Sequence, residues 1–147
     1  MRERLRCGII GTGAIGLDHL KSLASCPWAA TVAIAEKNPQ RQRQAAERFS
    51  VGRSYTDYHE LLDQPDIDAV TIALPNCLHA PVAVEALQAR KHVLLEKPFA
   101  LNAKEAAKVA AVAQKVRRTV MVGQSLRFDP QTHTARACLQ RGELGEV

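Results

Sequence analysis

At 147 residues the chain fits one domain with a single core of ordinary size. Its 46% hydrophobic and 24% charged residues match a globular composition, and no apolar run approaches the roughly 20 residues of a membrane span. The formal net charge of +5 is spread along the chain and aromatic residues make up only 4%, which argues against a nucleic-acid surface and suits a small anionic ligand.

The basic start Met1-Arg2-Glu3-Arg4-Leu5-Arg6 runs into Cys7-Gly8-Ile9-Ile10-Gly11, too short and too glycine-rich for a signal-peptide core, so a cytoplasmic protein is expected. The apolar run at residues 5–10 predicts a strand. Directly after it stands Gly11-Thr12-Gly13-Ala14-Ile15-Gly16, followed by a helical pattern with Leu17, Leu20 and Ala24 on one face. A glycine loop between a strand and a helix is the context that dinucleotide binding requires. Gly11 allows the tight turn, Gly13 lets a pyrophosphate approach the backbone, and Gly16 lets the helix pack on the strand. The loop as a whole, Thr12, Ala14 and Ile15 included, would present helix N-terminal N–H groups to the phosphates.

A second strand is expected at 31–35, ending on Glu36, twenty residues after Gly16. A carboxylate there can accept hydrogen bonds from the adenosine ribose hydroxyls and would repel a 2′-phosphate, which favours NAD. Lys37 beside it can pair with such a phosphate, so NADP stays open. Asn38 predicts a helix cap with Pro39 at the first position and Ala45, Ala46 and Phe49 on the inner face. Arg41, Arg43 and Arg48 of that helix read as a solvated face.

Further along, a weak strand is expected near 51–55 and a strong one at 69–74. A helix from about 77 to 90 turns Leu78, Val82, Ala86 and Leu87 inward, and a strand follows at 92–95. Asn102 caps the next helix with Glu105 as its reciprocal partner, and Ala106, Val109, Ala110, Ala113 and Val116 form its inner stripe. The last strand is expected at 119–122. The strand runs show little polar alternation, as in a parallel sheet buried on both faces. Repeated strand–helix–strand units imply right-handed crossovers and a doubly wound α/β Rossmann fold in three layers. Composition changes near residue 125, so 1–125 is expected to be the dinucleotide-binding unit and 126–147 a connecting segment, reaching Val147 where another strand could begin.

Cys7, Cys26, Cys77 and Cys138 are at least 19 positions apart, so neither a disulfide nor a metal site is expected. A methyltransferase, a non-catalytic nucleotide sensor and an interaction module also fit a glycine loop, and homo-oligomer formation stays open.

The stretches Leu74-Pro75-Asn76-Cys77-Leu78-His79 and Ala89-Arg90-Lys91-His92-Val93-Leu94-Leu95-Glu96-Lys97-Pro98 carry a sharper signal. With Val122-Gly123-Gln124 and Arg127-Phe128-Asp129-Pro130 they resemble the Gfo/Idh/MocA oxidoreductases, and the likeness covers essentially the whole chain. The resemblance implies that Lys97 is catalytic, lying near the nicotinamide and hydrogen-bonding the substrate hydroxyl. It implies a cis peptide before Pro98, a cofactor cleft lined by Leu74, Pro75, Asn76 and His79, and Glu96 anchoring the nicotinamide side. Gln124 and Arg127 complete the cofactor residues, Arg127 either facing a substrate cleft or pairing with an acid. The complete enzyme would move a hydride between the nicotinamide and a secondary alcohol of a sugar, cyclitol or polyol.

Family members run to more than twice this length, and their second α/β domain supplies an aspartate and a histidine four residues apart. Asp129 and His133 share that spacing, which is read as coincidence. The chain is therefore expected to be a cofactor half that binds nucleotide with little or no turnover. Arg90 stands where the family usually has glycine, so the turn before the fifth strand is expected to differ.

Overall fold

The structure is a computed structural model that describes residues 4–146. Met1, Arg2 and Glu3 of the basic start, and Val147, lie outside the described residues. Six strands, β1 (Leu5–Ile10), β2 (Ala29–Ala35), β3 (Ser54–Tyr55), β4 (Ala69–Ile72), β5 (His92–Leu95) and β6 (Val120–Val122), form one sheet. Every ladder is parallel and the order is β3-β2-β1-β4-β5-β6. This is the doubly wound order, in which the chain leaves β1 to one side and later returns to β4 on the other.

Both faces of the sheet are covered, and the strand pattern says why. Ile9 and Ile34 pack with Leu20, Ala45 and Val51 from the α1 (Ala14–Ala24) and α2 (Pro39–Arg48) side. Their neighbours Ile10, Ala33 and Ala35 pack on the opposite side with Leu61, Val82, Leu87 and Val109. Those come from α3 (Tyr58–Leu62), α4 (His79–Gln88) and α5 (Ala103–Val116). Successive side chains point to opposite faces, so two-sided burial demands the unbroken apolar runs seen in the sequence.

Three inner-face expectations need correction. Leu78 is 42% exposed because it belongs to a 3-10 turn, Asn76–Leu78, whose tighter pitch takes it off the α4 stripe. Ala110 is exposed, and Val112 packs against the core in its place. On α1, Ala24 is exposed and Leu23 takes the inner position. The caps are as expected: Asn38 Oδ1 accepts from the N–H groups of Gln40 and Arg41, and Asn102 Oδ1 accepts from Glu105. Glu105 reaches back to the Leu101 N–H, closing the reciprocal pair one residue earlier than anticipated.

Beyond β6 the chain forms a short 3-10 turn, Ser125–Phe128, and α6 (Pro130–Gln140), none of whose residues is buried. No helix among the described residues is long and apolar enough to cross a membrane, and no group of three or more metal-ligating side chains occurs among them.

Candidate cofactor site

The glycine loop, Glu36, Lys37, residues 74–76, Glu96, Lys97, Pro98 and Gln124 follow the carboxyl ends of β1, β2, β4, β5 and β6, along one edge of the sheet. That is where open α/β sheets bind ligands.

Beyond β1, Gly11 takes φ +91°, and a Cβ there would run into the Ala73 carbonyl, so glycine alone fits this turn. A Cβ on Gly16 would collide with the Gly11 carbonyl, which brings α1 tight against the loop. Around Gly13 the space is open, with no atom within 4 Å of where a Cβ would stand. Gly13 is also the N-cap of α1 and makes no side-chain cap bond. The first N–H groups of an α-helix lack intrahelical partners, so here they face an open cradle. Ala14 and Ile15 are exposed on its rim. A groove of about 390 Å³ continues from it, lined by Thr12, Gly13, Ala14, Leu17, Arg41 and Arg48 among others.

Glu36, beyond β2, is 6% exposed and fully engaged. Its Oε2 accepts from the Thr12 N–H at 2.9 Å and the Thr12 hydroxyl at 3.0 Å. Its Oε1 accepts from the Asn38 N–H at 2.9 Å and the Arg41 guanidinium at 3.0 Å. Burial pushes the carboxyl up. The N–H groups of Asn38 and Thr12, the Thr12 hydroxyl and the Arg41 charge outweigh it and hold the group below the ordinary carboxylate value. Arg41 is thus more than part of a solvated face. Lys37 is exposed beside it.

The loop beyond β4 corrects one reading. Pro75 and Asn76 are exposed and Leu74 half-buried, but His79 is 1% exposed. Its Nδ1 lies 2.6 Å from the Pro98 carbonyl oxygen and its Nε2 2.8 Å from that of Leu74. The ring therefore ties two loops together beneath the cleft rather than lining it. A ring protonated at both nitrogens donates to both carbonyls; a neutral one serves a single carbonyl.

Beyond β5, the Lys97–Pro98 peptide is cis. Glu96 is turned inward, and its Oε2 accepts from the Lys97 N–H at 3.2 Å. Lys97 and Pro98 are exposed. Beyond β6, Gln124 and Arg127 are exposed, and neither makes a side-chain ion pair among the described residues. The expected alternative, an ion pair of Arg127 with an acid, is thus not formed among the described residues. The structure thus brings together the glycine loop, Glu36, Lys37, residues 74–76, Glu96, Lys97, Pro98 and Gln124.

Two participants carried weak signals. Arg41 was visible as a helix-face charge but not as the partner of Glu36. His19, whose Nε2 lies 2.9 Å from Glu96 Oε1, sits three residues after Gly16, on the helix face turned to the sheet.

The model of an oxidoreductase family with an NAD-binding Rossmann fold matches residues 5–124. The chain belongs to the Gfo/Idh/MocA family. It is 41% identical over 146 residues to an uncharacterized oxidoreductase of Rhizobium meliloti, covering 99% of this chain and 44% of that protein. Among solved structures it resembles scyllo-inositol dehydrogenase from Lactobacillus casei with bound NAD(H) and scyllo-inositol. The TM-score is 0.90 at 26% identity, covering 99% of this chain and 43% of that one. It also resembles a variant 3-ketoreductase from Actinomadura kijaniata in complex with TDP-benzene and NADP, with TM-score 0.93 at 33% identity, covering 99% and 45%. The chain thus spans less than half the length of these relatives.

Proposed function

We propose that this chain is the cofactor half of a dehydrogenase that transfers a hydride between nicotinamide and a secondary alcohol carbon of a sugar, cyclitol or polyol. The observation that carries this reading is the convergence, on one sheet edge, of an open glycine cradle under an uncapped helix with the Glu96-Lys97-Pro98 turn. A bound nicotinamide would supply the hydride acceptor. The protein's own part is positional. The α1 N-terminus takes the pyrophosphate, Glu36 the adenosine ribose, and Leu74, Pro75, Asn76 and Gln124 the walls. Glu96 anchors the nicotinamide end. Lys97 hydrogen-bonds the substrate hydroxyl, whose proton must leave as the hydride departs. The Glu36 carboxylate favours NAD, and NADP remains the competing cofactor because Arg41 and Lys37 flank it.

Residues 1–125 form the cofactor domain in this reading, and 126–147 lead toward a substrate domain such as the longer relatives have length to hold. The chain alone then binds nucleotide with little or no turnover, since the described residues leave the cradle open to water. The test is thermal unfolding of the chain with NAD, NADH, NADPH and S-adenosylmethionine. A nicotinamide nucleotide at about 100 times its dissociation constant should add roughly 2.7 kcal/mol of stability. A shift with S-adenosylmethionine alone would replace this proposal by a methyltransferase.

A further inference from the structure

Glu96 is held from three sides. His19, on the second turn of α1, sets its Nε2 2.9 Å from Glu96 Oε1 across 77 positions of chain, and the two side chains are only 20% and 14% exposed. A carboxylate can only accept, so His19 contributes its Nε2–H. The other oxygen takes the Lys97 N–H at 3.2 Å. On the third side stands Gly123, where a Cβ would come within 2.7 Å of Oε1. His19 lies three residues beyond Gly16, and residues three apart share a helix face. The helix that forms the phosphate cradle therefore also grips the carboxylate at the far end of the cleft.

We infer that His19 is a positioning residue that fixes Glu96, and through it the Lys97 backbone, so that the nicotinamide end of the cleft is ordered before cofactor arrives. This rests on the dinucleotide reading above. Without the imidazole donor the inward carboxylate keeps only its longer contact to the adjacent N–H and turns toward water. The ordering cost then falls on the binding step.

The test compares NADH with ADP-ribose, which carries the pyrophosphate and both riboses but lacks the nicotinamide ring. Both are titrated into the full chain as wild type, His19→Ala and His19→Gln. His19→Ala should weaken NADH on the order of tenfold, the scale of one charge-assisted hydrogen bond, and leave ADP-ribose unchanged. His19→Gln, whose amide N–H can still reach Glu96, should recover most of the loss. Should His19→Ala fail to fold, His19→Leu fills the space without a donor and carries the same comparison. Equal weakening of both ligands would make His19 merely structural, and unchanged NADH affinity would also overturn the inference. A wild-type chain that binds neither ligand would sink the dinucleotide reading and this inference with it.

Discussion

Four donors converge on Glu36, two on each oxygen, which leaves the carboxylate no spare lone pair. A ribose hydroxyl can donate to it only by displacing one of them. The exchangeable donor is Arg41, whose side chain is 57% exposed, while Glu36 itself is buried. In the proposed cofactor site a displaced Arg41 would stand free beside Lys37 to pair with a 2′-phosphate. Arg41→Ala should therefore weaken NADPH on the order of tenfold relative to NADH, because an arginine–phosphate pair is charge-assisted. Equal effects on the two cofactors would remove Arg41 from the phosphate.

Glu36 also sets a pH dependence. Its folded value is depressed, so its contribution is fully present above the unfolded carboxyl value and is lost as pH falls through the folded one. Below about pH 4.5, an ordinary carboxyl value, Glu36→Gln should lose stability less steeply than wild type in acid titrations followed by circular dichroism. Identical slopes would mean the carboxylate is not held as described. Position and charge of Glu36 were legible in sequence. Its saturation was not, because Arg41 reaches it only through the turn that Asn38 and Pro39 set.

Among the elements, those fixed by local chemistry were read closely and those fixed by tertiary contact were not. The strand at β5, the Asn38 and Asn102 caps and the glycine turn each follow from residues within a few positions. Ala110 and the buried ring of His79 depend on which face the sheet presents, and Leu78 on a 3-10 turn before α4, none of which the helical period encodes. Arg90 belongs with these. The turn before β5 takes a left-handed conformation, φ +64°, although arginine stands there. Arginine carries backbone strain at this position. A non-glycine residue in that region costs about 1–2 kcal/mol, partly offset by the greater chain entropy glycine loses on folding. The Arg90 guanidinium bond to the Val116 carbonyl is exposed and offsets little more. Arg90→Gly should thus raise the melting temperature, by about 2–3 °C for a net gain below 1 kcal/mol, and a fall would show that the guanidinium outweighs the strain. At the opposite sign, Asn102→Ala should cost about 1 kcal/mol through the lost cap, readable as a lower urea midpoint with unchanged slope.

At the scale of the whole molecule, burial is unevenly divided. Val109, Leu87 and Leu95 are completely enclosed between sheet and helices, whereas Leu126 and Phe128 are 71% and 67% exposed and α6 buries no residue. The segment after residue 125 therefore draws little hydrophobic stabilisation from the sheet. The two regions should respond differently to the same kind of change. Leu87→Ala removes a buried side chain and should cost about 2–5 kcal/mol. Replacing Leu126 and Phe128 together by glutamine should leave the unfolding midpoint within about 0.5 kcal/mol of wild type, the usual range for surface positions. The cofactor-induced shift with NADH should also survive that double change, because Gly13, Glu36 and Glu96 are all anchored on the sheet edge. A large loss of stability in the double variant would mean that the segment is part of the folding unit, and the boundary near residue 125 would have to move toward the carboxyl terminus.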